Sequence, residues 1–310
     1  MTPIISRRGL LHIGAGTAAA LGISTLTGEL GPVSALAQIG APNAPKGEKT
    51  GPTVQVDSGV QLFYREDYFG APWAKPEPVL MIHGVGESGI TWYGWVPRMA
   101  QEFRLLRPDL PGFGQSTAPR DFEWTLPNLA KVFSHFLDAL EVDSAHVIGA
   151  KVGGAIAMQF AADYPRRTRT LVLASAPISE PVFNSTTAKV LEPKWVADTQ
   201  RDRLGSAASQ EQVQYWISMM NATSPQTTAG IGKVTAALNL EPVLPRIAAP
   251  TLVITSDRSS LQSVETVLRY QQKIPKSRLL VLPSDAYHVA VAKADECVTS
   301  VLSFIKETTI

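Results

Sequence analysis

An α/β architecture, a mostly parallel sheet flanked by helices, is what this 310-residue sequence predicts, and three observations carry that reading. Short, continuous apolar runs alternate with segments of helical period, as in strands covered on both faces and the crossovers between them. A strand-to-helix turn framed by Gly149 and Gly153 stands in HVIGAKVGGAIAMQF, residues 146–160. One interval, 177–247, interrupts the alternation with helical pattern and no convincing strand, which predicts a helical insertion over the strand ends. Regular alternation favours parallel strands because each strand returns to its neighbour through a crossover.

The first 37 residues are set apart from the fold. Arg7 and Arg8 precede an apolar Gly/Ala/Leu stretch, and Ala35-Leu36-Ala37 supplies a small-x-small cleavage pattern. S-R-R-G-L-L resembles a twin-arginine export signal, which predicts a periplasmic or secreted protein. Residues 38–52, rich in Pro, Gly and Lys, read as a flexible lead-in.

The core is expected over 53–176 and 248–310. Val60–Asp67 reads as the edge strand of an opening hairpin, with TVQV before it and Asp57-Ser58-Gly59 as its turn. PVLMI, residues 78–82, is a buried strand, 91–103 a helix, and RLLRPDL the following strand. Leu129, Val132, Phe133, Phe136, Leu137 and Leu140 recur at helical spacing and define an amphipathic helix over 126–140. Runs at 145–148, 171–173, 252–254 and 279–282 give four further strands. Helices follow from Gly153, Val264 and about Ala294.

Composition narrows the partner. Lys plus Arg number 28 against 27 acidic residues, so there is no basic field for nucleic acid or an anionic membrane. The body of the chain holds no 18-residue apolar run, which predicts no stable membrane anchor once the signal is removed. Cys297 is the only cysteine and cannot form an intramolecular disulfide. Metal-ligand spacing, a phosphate-binding loop and a dinucleotide fingerprint are all missing from the sequence. The expectation is a small, mostly uncharged molecule as partner, with no metal and no cofactor.

Four landmarks now stand in order: His83-Gly84-Val85-Gly86 after PVLMI, Pro108-Asp109-Leu110-Pro111-Gly112-Phe113-Gly114-Gln115-Ser116, the turn around Lys151, and Ser284-Asp285-Ala286-Tyr287-His288. Together they resemble the α/β-hydrolase superfamily over nearly all of 53–310. The resemblance implies an oxyanion loop after PVLMI, a nucleophile elbow at Lys151, a catalytic histidine at His288, and a cap domain over 177–247. It departs from the pattern twice. Lys151 replaces the Ser, Cys or Asp nucleophile, and Ser259 stands where the supporting acid belongs, with Asp257 two residues earlier.

A lysine at the head of a helix meets the positive end of its dipole, and burial adds to that penalty, so its amine is expected to be partly neutral. A neutral amine is a nucleophile towards carbonyls and a usable base. The plainer alternative pairs it with Glu180, Asp257 or another carboxylate in an inactive site. His288, facing Ser259 in place of an acid, is expected to stay neutral unless Asp257 or Asp285 supports it. The resemblance places oxyanion donors at the backbone of Val152 and of Val85 or Gly84. His83 is expected to orient that loop and Asp109 to hold its turn. Trp92, Trp195 and Trp216 are candidate pocket walls. These residues point to an exported enzyme working through Lys151 and His288 on a small carbonyl compound, by hydrolysis or carbon–carbon cleavage. The alternative is a non-catalytic periplasmic binding protein on the same scaffold.

Overall fold

The computed structural model describes residues 51–179 and 189–308; the segment expected to direct export, most of the lead-in and Glu180 lie outside them. Eight strands form one sheet: β1 Thr53–Asp57, β2 Val60–Asp67, β3 Pro78–Ile82, β4 Arg104–Pro108, β5 Ala145–Ala150, β6 Thr168–Ala174, β7 Thr251–Ser256 and β8 Ser277–Leu282. Their order is β1-β2-β4-β3-β5-β6-β7-β8. The β1–β2 and β2–β4 pairs are antiparallel and every other pair is parallel.

The continuous apolar strands are explained by what covers them. In β3, Val79 and Met81 pack on one side with Trp92, Trp95, Val298 and Phe304. Leu80 and Ile82 pack on the other with Phe133, Phe136, Ile156 and Phe160. Successive side chains of a strand point to opposite faces, so a strand buried on both sides has no polar position to spare. Helices α1 Val96–Met99, α2 Leu126–Ala139 and α3 Val152–Asp163 belong to the first half of the chain. The helices α4 Pro193–Leu204, α5 Gln210–Asn221 and α6 Pro225–Ala236 follow β6. Beyond β7 come α7 Val264–Gln271, α8 Val289–Ala292 and α9 Ala294–Thr308.

Two expectations need correction. Val60–Asp67 is not an edge strand, because β1 flanks it on one side and β4 on the other. The helix expected over 91–103 is split into a short 3-10 turn, Gly89–Trp92, and α1. Pro97 lies in the first turn of α1, where its missing N–H is tolerated. Its ring would clash with a longer helix arriving from residue 91. No helix among the described residues is long and apolar enough to cross a membrane.

Candidate functional site

β5 runs straight into α3 through Lys151, whose backbone is held at φ 57°, ψ −129°. A side chain there costs about 1–3 kcal/mol of backbone strain, so the surroundings must impose it. Lys151 N–H donates to Ala174 O at 3.0 Å, and Lys151 O accepts from Gly154 N–H at 2.9 Å. The flanking glycines make the turn possible. A Cβ on Gly153 would stand 2.3 Å from both His83 O and Ile82 O, and one on Gly149 2.4 Å from Gly153 O. The first N–H groups of α3, at Val152 and Gly153, precede the turn in which an intrahelical acceptor is available, and Val152 borders the cavity.

The lysine side chain is 94% buried, 6% of its surface remaining open. Its Nζ lies 3.8 Å from the centre of the Tyr287 ring and makes no hydrogen bond among the described residues. Burial first, then the nearby Arg203 guanidinium, push this amine well below the usual lysine range, and Glu87 pulls weakly the other way. Among the described residues no carboxylate clasps it, and Glu180, one expected partner, lies outside them. Asp257, another expected partner, is exposed, accepts from Ser284 N–H at 2.8 Å and pairs loosely with Arg258.

His288 has a carboxylate partner, but from an unexpected place. Its Nε2 lies 3.1 Å from Glu87 Oε2 and 3.0 Å from Oε1. Glu87 belongs to the loop after β3 and also accepts from Arg203 Nη1 at 2.6 Å and Gly84 N–H at 3.0 Å. Burial opposes ionisation of Glu87, yet His288 and Arg203 against it hold its carboxyl far below the ordinary glutamate range. A carboxylate can only accept, so His288 carries its proton on Nε2 and presents a lone pair at Nδ1. That Nδ1 is buried and without a partner among the described residues. In a Ser-His-Asp triad the acid holds Nδ1–H instead; here the ring is used the other way round. Burial lowers the His288 pKa, with Glu87 opposing and Arg203 and Lys151 adding to the fall, so the imidazole is neutral at pH 7.

Arg203 reaches Glu87 from the last turn of α4. Backbone bonds fix that helix end to the histidine loop: Tyr287 N–H donates to Asp202 O at 3.0 Å and His288 N–H to Arg203 O at 2.9 Å. Arg203 is 2% exposed and its Nε–H is buried without an acceptor among the described residues. Lys151, Arg203, Val85, Val152 and Trp195 are among the residues around a cavity of about 30 Å³. The amine and the guanidinium thus border one small cavity, and Glu87 links the guanidinium to the imidazole.

The remaining candidates divide. Gly84 N–H is taken by Glu87, and Val85 and Val152 border the cavity. His83 Nδ1–H donates to Gly84 O at 2.8 Å and its Nε2 accepts from Leu110 N–H at 2.8 Å, so its ring holds two loops together. Asp109 accepts from Gly89 N–H at 2.7 Å and Gln115 N–H at 2.9 Å. Ser259 does not reach His288; its hydroxyl accepts from Leu261 and Gln262 N–H in a turn of its own. Asp257 and Asp285 do not support the histidine either, Asp285 being engaged with Ser206 N–H. Trp195 borders the cavity. Trp92 instead packs edge-on against Trp95 at 5.2 Å on the far face of the sheet, and Trp216 stacks with Tyr93 and Tyr215. Sequence reasoning missed Glu87 and Arg203. Glu87 had a signal, a lone carboxylate in the otherwise uncharged HGVGESGITW. Arg203 had none, sitting in the charged stretch TQRDRL. Among the described residues no group of His, Cys, Asp and Glu is arranged to hold a metal.

Comparison with known proteins agrees with the topology. A family model described as the alpha/beta hydrolase fold matches residues 77–229. A pimeloyl-(acyl-carrier protein) methyl ester esterase of Aeromonas hydrophila is 26% identical over 247 residues, 73% of this chain and 94% of the relative. An uncharacterized protein of Mycobacterium tuberculosis is 37% identical over 98 residues, 32% of this chain but only 28% of that relative's length. The crystal structure of an enol-lactonase from Burkholderia xenovorans superposes with a TM-score of 0.74 at 21% identity, over 82% of this chain and 100% of that one, a likeness of fold. With the sheet order, the elbow backbone at residue 151 and the histidine after the last strand already in place, the chain has the α/β-hydrolase fold.

Proposed function

We propose that this chain is an exported enzyme that uses the Lys151 amine and the His288 imidazole on a small, mostly apolar carbonyl compound. The observation that carries this is the Lys151 Nζ, buried, unbonded and lining the cavity. Chemistry selects among carbonyl classes. An amine that attacked an ester or lactone would leave an amide, too stable to turn over. Attack on a ketone gives an imine, which water reverses. For esters and lactones Lys151 would therefore serve as a base for water, and for β-dicarbonyl compounds as the nucleophile. The second role uses the site more fully. Nζ adds to one carbonyl carbon, a proton is taken up from solvent and water leaves, giving an iminium; the same proton is released when Lys151 is regenerated as the neutral amine. Water then adds to the second carbonyl, losing its proton to His288 Nδ1, and the carbon–carbon bond breaks with its electron pair passing into the iminium. His288 returns the proton to the resulting enamine, and hydrolysis of the imine frees Lys151. Val85 and Val152 N–H face the oxygen that gains charge.

A second reading is a binding protein without turnover on the same scaffold. The cavity of about 30 Å³ holds a water or two, far below the roughly 300–1,000 Å³ of ordinary ligand sites. A substrate or ligand of ordinary size therefore requires this recess to widen under either reading. Both readings are tested by incubating the protein with small β-diketones and borohydride. A reduced adduct on the Lys151 peptide, absent from Lys151→Ala, supports the enzyme. Absence of adduct together with full turnover by Lys151→Ala would overturn it, and tight binding without turnover would establish the second reading.

A further inference from the structure

Two residues of the cavity wall carry a buried polar atom without a partner among the described residues, Lys151 Nζ and Arg203 Nε, and His288 Nδ1 is a third such atom. They form a complementary set: an amine with a lone pair, a cationic donor and a proton acceptor. Lys151 Nζ and the Arg203 guanidinium lie over the same Tyr287 ring, at 3.8 and 5.6 Å from its centre. A cavity of about 30 Å³ joins them, room for a molecule no larger than a few atoms.

We infer that Lys151 is a carbon dioxide acceptor, reversibly N-carboxylated at Nζ, with the carbamate held by Arg203. The Nζ lone pair attacks the carbon of CO2 and an N–C bond forms. One C=O π pair moves onto its oxygen, which becomes carboxylate, and the displaced N–H proton goes to His288 Nδ1. Nothing is oxidised or reduced. The product satisfies each orphan atom. A carbamate oxygen accepts from Arg203 Nε–H, while Arg203 Nη1 keeps Glu87 at 2.6 Å. One guanidinium then bridges two carboxylates, and the His288 cation lies between Glu87 and the new anion. Charge within the recess balances before and after. A buried amine paired with a strong acid could not react this way, and neither could a solvated ammonium. The inference does not depend on the proposed carbonyl chemistry, since it requires only an uncharged, unbonded amine that CO2 can reach.

The test is 13C NMR of the protein in 13C-bicarbonate, with alkylative trapping of carbamates and peptide mapping by mass spectrometry. A carbamate carbon should appear in the wild type, map to Lys151, and disappear on removal of CO2. Lys151→Met should lack it while keeping a cooperative thermal transition. Arg203→Gln should need about tenfold more CO2 for half occupancy, the loss of one charge-assisted bond. No carbamate on Lys151 at saturating bicarbonate overturns the inference, and so does a signal of equal size in folded Lys151→Met. Unchanged CO2 dependence in Arg203→Gln overturns the assignment of Arg203.

Discussion

Two of the described buried histidines each bond a glutamate, and only one belongs to the proposed site. His146, in β5 at the far end from the elbow, bonds Glu77 Oε2 at 3.1 Å through Nε2 and Thr170 Oγ1 at 2.9 Å through Nδ1. Both ring nitrogens are used, and Glu77 remains 41% exposed beside Arg169. His288 is equally buried, but its glutamate is sealed with it and its second nitrogen is left without a partner. Burial lowers both imidazole pKa values, so neither burial nor pKa distinguishes them. The orphan atoms do. A satisfied polar network stiffens a fold, whereas an unsatisfied one in a cavity is a place where another molecule gains by binding.

The largest effect should come from the two glutamates. Glu87→Gln removes the only carboxylate that the described residues place on the buried Arg203 guanidinium and is expected to cost about 3–5 kcal/mol. Glu77→Gln, at a half-exposed site, should cost at most about 1 kcal/mol. Urea unfolding of both variants measures the difference, and equal losses would dissolve the contrast. Adding Arg203→Met to Glu87→Gln should restore a large part of the loss, because the pair is costly chiefly when halved.

Lys151→Met should go the other way, stabilising the fold at pH 7 by about 1–3 kcal/mol through removal of a buried amine that has no hydrogen bond. The sign with pH follows from linkage. The folded amine pKa is depressed, so between it and the unfolded value near 10.4 the unfolded chain binds the extra proton. Wild-type stability therefore rises with pH across that window, and the advantage of Lys151→Met should shrink towards pH 10. Thermal melts of both proteins from pH 7 to 10 test this; a constant gap would mean the amine is charged in the fold.

Acid should act through the sealed pair. Glu87 and His288 both have folded pKa values below their ordinary ones, so both contributions are present above the unfolded values and fade as pH falls through the folded ones. For His288 the loss begins below about pH 6.5, and for Glu87 below about pH 4.3. Any turnover should fall with protonation of Nδ1 over the same acid limb. The smallest effect is reserved for the partnered histidine. His146→Asn should cost about 1–2 kcal/mol for its two bonds and leave borohydride trapping at Lys151 unchanged.

Much of the fold was legible along the chain. PVLMI and its fellow runs announce strands covered twice, and G-A-K-V-G-G announces the elbow because no other residue fits at Gly149 or Gly153. Even the misplaced edge strand and the over-long helix at 91–103 were errors of extent. At the site, Lys151 and His288 were legible because a turn and a strand end fix where a backbone points. The acid was not. It was sought after β7, where Ser256-Asp257-Arg258-Ser259 stands, and it arrives instead from Glu87 in the loop after β3.

Local rules act over a few residues: an apolar period, a cap, a glycine with no room for Cβ. The sequence by itself therefore determined the layers, the elbow and the residue set upon it. Whether that amine is free or neutralised, and which acid faces His288, depends on chains that meet across 116 residues from Glu87 to Arg203 and 201 from Glu87 to His288. Only the tertiary structure decides which charges share a dry recess, since the field at a buried atom is set by its neighbours in space and not by its neighbours in the chain.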